Sequence, residues 1–284
     1  MTANAHTALY CLFGRPARHS LSPAMHNAAF VEKGLNAVYL AFEPERAIDA
    51  VRSMRSLGIK GASVTIPFKT DIMDAIDQVD PLAEKIGSVN TLVNHSGTIT
   101  GYNTDGYGAV RALQTAGVSL DRRAAFVIGN GGSARAIAFS LLEAGSRVVI
   151  LGRDEKKAAR LARDLSRHFP EVESGRIDSA GTRMHDDDAL IVNTTPVGMF
   201  PDIGSCPIDP SILKKGHVVF DIVYSPVRTR LIESAASAGC TTVPGTEMLL
   251  HQGARQFELW TSLSAPVETM RTALAFGLAE RENH

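Results

Sequence analysis

Cysteine is scarce in this chain. Its three cysteines, Cys11, Cys206 and Cys240, lie far apart in 284 residues and form no CxxC pair. That spacing argues against a disulfide framework or a thiolate zinc site and leaves reduced thiols as the plain reading. An excess of one charge is also missing, with 29 Lys+Arg against 30 Asp+Glu. No global pull toward nucleic acid results, and no run of basic residues supplies a local one. No apolar run approaches the roughly 20 residues that span a bilayer, so no membrane partner is expected. Met1 to His6 lack a basic segment leading into an apolar stretch, so no secretory signal is read and a cytoplasmic location is expected. The nine histidines are scattered, without HxxxH or HExxH spacing, which disfavours a metal and zinc-assisted chemistry.

What is present is α/β alternation on a scale suited to two domains, since single cores cluster near 100–150 residues. In the first third, Ala8–Phe13, Val38–Phe42 and Gly61–Ile66 read as strands, the last ended by Pro67. A helix opens at Ser22-Pro23, with serine read as the cap and proline at the first helical position, and ends at Gly34. Ala47–Leu57 reads as a second helix and Asp71–Val79 as a helical stretch. Ser88–Asn94 and Thr98–Tyr102 flank a polar turn and read as a hairpin.

From Ala124 the rhythm becomes strictly strand then helix. Ala125–Ile128, Arg147–Leu151, Leu190–Asn193 and Val218–Val223 read as buried strands. Ser133–Ala144 and Lys157–Phe169 carry the helical period. This pattern predicts a doubly wound parallel sheet. Two helices, about Glu247–Trp260 and Pro266–Glu280, have no strand partner and are expected to return to the first domain.

The segment Gly129-Asn130-Gly131-Gly132-Ser133-Ala134-Arg135 follows a strand and opens a helix. Gly129 suits the tight turn, Gly131 lets the backbone approach a pyrophosphate, and the helix start offers unpaired N–H groups to the anion. The next strand ends in Gly152-Arg153-Asp154. An aspartate there suits a ribose 2′-hydroxyl, as in NAD, and an arginine suits a 2′-phosphate, as in NADP. Both are present. Asp154 also precedes a helix and reads as its N-cap, which tilts the reading to NADP.

Polar residues gather in the first domain as well. His19-Ser20-Leu21-Ser22-Pro23 places two hydroxyls at a helix start, a setting for a carboxylate, although a cap and a solvated loop explain them equally. Lys69 follows the strand that carries Ser63 and Thr65, and Asp105 lies in Asn103-Thr104-Asp105-Gly106, which also reads as a turn and cap. A dehydrogenase acting on an alcohol needs a group that moves the hydroxyl proton, and a lysine held by an aspartate can do so.

On these segments the chain resembles the shikimate dehydrogenase family over nearly its whole length. His19–Pro23 resembles the carboxylate-binding loop, Thr65-Ile66-Pro67-Phe68-Lys69 the lysine motif, Gly87-Ser88-Val89-Asn90-Thr91 the GAVNT segment and Asn103–Gly106 the NTDG motif. Gly129–Arg135 is similar to GAGGxxR with Asn130 in place of alanine. Asn193-Thr194-Thr195-Pro196-Val197-Gly198-Met199, Asp221-Ile222-Val223-Tyr224 and Gly245–Gln252 complete the series in order. Two further departures stand out: Ser63 where asparagine is common, and Gly152-Arg153-Asp154 where NADP-dependent members show Asn-Arg-[Ser/Thr].

The resemblance implies a two-domain α/β fold. Residues 105–245 would form a Rossmann-type sheet for the dinucleotide. Residues 1–104, joined by helices in 246–284, would form a mixed, mostly parallel α/β domain for the substrate. It implies a soluble oxidoreductase that interconverts 3-dehydroshikimate and shikimate by direct hydride transfer to or from NADP (NAD being possible), in aromatic amino acid biosynthesis. Lys69 and Asp105 would be catalytic, and Ser20, Ser22, Thr65, Asn90, Tyr224 and Gln252 would bind substrate. Gly129, Asn130, Gly131, Gly132, Ser133, Arg153, Asp154, Thr194, Pro196 and Gly245 would bind the cofactor. The small-molecule substrate is the expected partner, with the chain a monomer or homodimer. Competing readings are a quinate/shikimate dehydrogenase using NAD or NADP, a methylenetetrahydrofolate-type dehydrogenase and a non-catalytic dinucleotide-binding regulator. Intact Lys69 and Asp105 speak against the last.

Overall fold

The structure is a computed structural model that describes residues 3–184 and 186–282. The chain divides into two units, Met1–Thr104 with Leu249–His284, and Asp105–Met248.

Unit one is built from β1 (Ala8–Phe13), α1 (Ser22–Glu32), β2 (Ala37–Phe42), α2 (Ala47–Ser56) and β3 (Gly61–Val64), followed by β4 (Gln78–Val79), α3 (Pro81–Ile86), β5 (Thr91–His95) and β6 (Thr98–Tyr102). Its sheet runs β2-β1-β3-β5-β6-β4. β2, β1 and β3 are parallel, whereas β5 runs antiparallel to both β3 and β6. Val51 and Met54 of α2 pack with Phe13, Val64, Leu92 and Ile99 on one face of this sheet. The other face meets aromatic rings: Tyr10 lies 5.0 Å from Phe30 and 5.4 Å from Trp260. Trp260 belongs to α9 (Gly245–Thr261), which with α10 (Val267–Glu282) carries the chain's last helical turns. The Trp260 indole N–H donates to the Leu92 carbonyl at 3.0 Å. Gly61 makes room for the ring, since a Cβ there would lie 2.8 Å from the Trp260 Cγ.

The free edge at β2 is closed by a side chain. Asn27 of α1 accepts from the Tyr39 N–H at 2.7 Å and donates to its carbonyl at 3.0 Å. One amide thereby imitates a neighbouring strand and blunts an edge that carries no charge or proline of its own.

Two expectations need correction here. Asp71–Val79 is not one helical stretch: a 3-10 turn spans Asp71–Ala75, and Gln78–Val79 pairs with Thr100–Gly101 as a strand. The Asp77 carboxylate explains the change. It accepts from Ile99 N at 2.7 Å and from Arg55 at 2.7 Å, drawing the segment onto the sheet against its helical propensity. The strand before Pro67 also ends early, at Val64.

Unit two holds α4 (Asp105–Thr115), β7 (Ala124–Ile128), α5 (Gly132–Glu143), β8 (Arg147–Gly152), α6 (Glu155–Leu165), β9 (Glu173–Arg176) and α7 (Ala180–Arg183). β10 (Leu190–Asn193), β11 (Val218–Asp221), α8 (Arg230–Ser237) and β12 (Thr241–Pro244) follow. All six strands pair in parallel, in the order β12-β11-β10-β7-β8-β9. The direction of winding reverses between β7 and β10, which is where open α/β sheets place their ligands. The sequence reading missed β9 and β12. Both are four-residue edge strands with little apolar content, Glu-Ser-Gly-Arg and Thr-Thr-Val-Pro.

Candidate functional site

In unit one the candidate residue Gln252 meets a second one, Asn90, which is buried just before β5. Its side-chain oxygen accepts from Thr104 N at 2.8 Å and from the Thr91 hydroxyl at 2.8 Å. Its amide donates to the Thr104 hydroxyl at 3.0 Å and to Gln252 Oε1 at 3.3 Å. Val64 N donates to the Asn90 carbonyl at 2.7 Å, and Thr65 continues from there. Val89 N donates to the Lys69 carbonyl at 2.8 Å, so Lys69 is anchored one residue away from Asn90 along the chain. Lys69 is half-buried. Thr104, held by Asn90, directly precedes Asp105, a buried residue that opens α4. The Asn90 side chain therefore fixes the backbone just before Asp105, and the neighbouring Val89 N–H holds that of Lys69.

Behind Asn90 lies a second polar row that the sequence reading did not find. The Tyr39 hydroxyl donates to Ser63 at 2.7 Å, and Ser63 donates to Gln256 Oε1 at 2.7 Å. The Gln256 amide donates to Thr91 Oγ1 at 3.0 Å and to the Asn90 carbonyl at 3.2 Å. Ser63 is thus occupied as a link between β2 and α9. The available signal was Gln256 itself, which repeats Gln252 one helical turn later.

The serine loop differs from expectation. Ser22 is the first residue of α1 and makes no side-chain cap; Ser20 supplies one instead, its hydroxyl accepting from Ser22 N at 3.2 Å. Ser22 is buried and Ser20 half-buried. The next turn of α1 buries Met25 and His26. The His26 imidazole stacks 4.6 Å from Tyr39, and burial pushes its pKa down to about 3, so the ring is neutral at ordinary pH.

In unit two the glycine loop joins β7 to α5. Gly129 has φ of 121°, a conformation costly for any side chain, and its N–H donates to the Leu151 carbonyl at 2.8 Å. On its other side Thr194 donates through both N–H and hydroxyl to the Ile128 carbonyl, at 2.9 and 2.7 Å. Gly131 is the N-cap of α5 with no side chain on the helix amides and open space at its Cβ position. Gly132 and Ser133 form the first turn. An uncapped helix start beside a glycine turn suits a dinucleotide's phosphates, so the residues present fit that group. Arg135 is committed elsewhere, 2.7 Å from Asp164 of α6. Asp154 caps α6, its carboxylate accepting from Lys157 N at 3.1 Å, while Arg153 beside it is exposed.

Pro196 sits in a loop shaped by Asn193, whose oxygen accepts from the Thr195 N–H and hydroxyl at 3.0 and 2.7 Å. The Asn193 amide donates to Asp221 at 2.9 Å. Asp221, fully buried at the end of β11, also accepts from Val223 N at 3.0 Å and the Thr229 hydroxyl at 2.7 Å. Burial nonetheless raises its pKa to about 6, with these three bonds opposing the rise. Tyr224 follows that turn. Gly245 passes so close to it that a Cβ would lie 2.7 Å from the Val223 carbonyl oxygen.

Residues 12–92 match the model of the shikimate dehydrogenase substrate binding domain. Residues 111–201 match shikimate / quinate 5-dehydrogenase, and residues 245–275 the shikimate 5′-dehydrogenase C-terminal domain. The NADP(+) shikimate dehydrogenase of Moorella thermoacetica is 42% identical over 275 residues, 95% of this chain and 93% of that protein. The chain belongs to the shikimate dehydrogenase family. Among solved members, a shikimate dehydrogenase in complex with NADP+ is 36% identical with a TM-score of 0.91, covering 98% of each chain. The Thermus thermophilus shikimate 5-dehydrogenase, in complex with NADP(H) and shikimate, is 32% identical with a TM-score of 0.86, covering 96% of this chain and 100% of its own. As in those family members, two α/β units make up the whole chain. No described helix is long and apolar enough to cross a membrane.

Proposed function

We propose that this chain catalyses the reversible NADP-dependent reduction of 3-dehydroshikimate to shikimate, as a step in aromatic amino acid biosynthesis. The observation that carries this reading is the Asn90 hub, which holds the Thr104 backbone before Asp105 and meets Gln252, beside the Val89 N–H that holds Lys69, in a family member. Unit one carries the substrate and unit two the dinucleotide.

NADP supplies the hydride acceptor or donor when bound. Lys69 gives and takes the proton of the reacting hydroxyl, and the buried Asp105 carboxylate orients its ammonium and balances its charge. Ser20 and Ser22 bind the substrate carboxylate, and Thr65, Asn90, Gln252 and Tyr224 position its ring. At 3.3 Å, the Asn90–Gln252 bond is long, and a substrate hydroxyl can replace it. Gly129 to Ser133 receive the pyrophosphate, Thr194, Pro196 and Gly245 lie on the nicotinamide side, and Arg153 pairs with the 2′-phosphate. The engagement of Asp154 as a helix cap supports NADP over NAD, because its carboxylate already holds Lys157 N.

The test is a steady-state assay of shikimate and quinate, each with NADP+ and NAD+. Preference for shikimate with NADP+ is expected. Comparable turnover of quinate would move the chain to the quinate-oxidising branch, and no turnover with any pair would sink the substrate assignment.

A further inference from the structure

The cofactor loop contains one side chain longer than a hydroxyl between its first glycine and the helix body, Asn130, and its direction is informative. The loop lies where the sheet's winding reverses, flanked by the end of β10 on one side and the end of β8 on the other. Thr194 fills the β10 side, and a Cβ at Gly129 would press on the Thr195 side chain at 3.2 Å. The Asn130 amide goes the other way: its Nδ2 stands 3.2 Å from where a Cβ at Gly152 would be, at the end of β8. That strand end holds the adenosine ribose in a doubly wound dinucleotide site, and position 152 is its usual place for a recognising side chain. Gly152 has none. A side chain there would meet Asn130, the Asp154 carbonyl at 3.2 Å and Ala158 Cβ at 3.3 Å. The two neighbours following Gly152 divide their duties, Asp154 capping α6 and Arg153 remaining exposed.

We propose that Asn130 is a specificity-determining residue, its side-chain amide reading the ribose 2′-phosphate beside Arg153 at the strand end where Gly152 supplies no side chain. This rests on the NADP reading given above. The amide donates hydrogen bonds to the phosphate oxygens, while the guanidinium balances their charge. Position 130 thus does two jobs, its backbone lying in the pyrophosphate turn and its side chain crossing to the ribose.

The test compares wild type, Asn130→Ala and Asn130→Asp by calorimetric titration with 2′,5′-ADP and with 5′-AMP, probes that differ only in the 2′-phosphate. Asn130→Ala is expected to weaken 2′,5′-ADP about tenfold or more, the usual loss for one hydrogen bond to a charged group, and to change 5′-AMP less than about twofold. Asn130→Asp is expected to weaken 2′,5′-ADP by about 100-fold through like-charge repulsion, again sparing 5′-AMP. Equal weakening of both probes, or none, in Asn130→Ala would overturn the proposal while leaving the NADP reading intact. A wild-type chain that does not distinguish the probes would overturn both.

Discussion

Each unit organises its candidate site around one buried polar side chain, and the two hubs differ in kind. Asn90 in unit one is neutral and serves as donor and acceptor at once, to Thr91, Thr104 and Gln252. The side chains tied to it through Gln256, Ser63 and Tyr39 are neutral as well. Asp221 in unit two only accepts, from Asn193, Val223 and Thr229. An amide can close a network of hydroxyls and amides without charge, whereas a ring of donors calls for a carboxylate and exposes that part of the fold to pH. Unit one thus builds the Asn90 network without a charged member, and unit two ties its loop geometry to a titration.

The largest effect expected on activity comes from chemistry rather than from either hub. Lys69→Ala should lower kcat by about 100- to 10,000-fold, the usual contribution of a positioned acid–base group. Its thermal unfolding midpoint should stay close to that of wild type. Unchanged turnover would remove Lys69 from the proton-transfer role. Next, Asn90→Ala should cost about 3 kcal/mol in denaturant unfolding, because Thr104 N and its neighbours lose buried partners together. That loss should be the same at pH 4 and pH 7, and a loss that varied with pH would break the contrast drawn between the hubs.

Asp221 is expected to behave in the opposite way. Its folded pKa of about 6 exceeds the ordinary 3.8, so between those values the folded chain holds a proton that the unfolded chain releases. The stabilising contribution is complete below about pH 4 and is lost as pH rises through about 6, by about 3 kcal/mol in all. The nearby Cys206 thiol, whose pKa burial raises, stays neutral throughout. Asp221→Asn should remove that fall and leave the opposite contribution of buried His26, whose pKa of about 3 against an ordinary 6.5 makes stability rise with pH over the same range. A pH dependence of unfolding free energy unchanged by the substitution would assign the fall to another group. The smallest effect is that of Asp154→Ala, about 1 kcal/mol for a lost helix cap, seen as a modest drop in Tm. No drop would mean that the cap is dispensable and would return the carboxylate to the ribose.

Much of this was legible in the chain. The strands Ala124–Ile128 and Leu190–Asn193 are short apolar runs whose identity survives any packing, and Gly129 is needed by the turn that follows the first of them. The Asp154 cap was readable because it depends on residues three apart. Other features were not. β9 and β12 are strands because a neighbouring strand offers them hydrogen bonds, and their own residues carry no period-two apolar signal. Asp71–Val79 reads as helical until Asp77 finds Ile99 and Arg55, both more than twenty residues away. Ser22 looks like a cap, and only the backbone shows Ser20 taking that part.

The sequence by itself determined the α/β alternation, the glycine turn, the Asp154 cap and the family, since each rests on residues close in the chain or on motifs met in order. Only the tertiary structure decided what Asn90, Gln256 and Asp221 do, and to which strand end Asn130 turns. Those roles depend on which donors and acceptors folding brings within about 3 Å of one another, and burial makes the pairing obligatory.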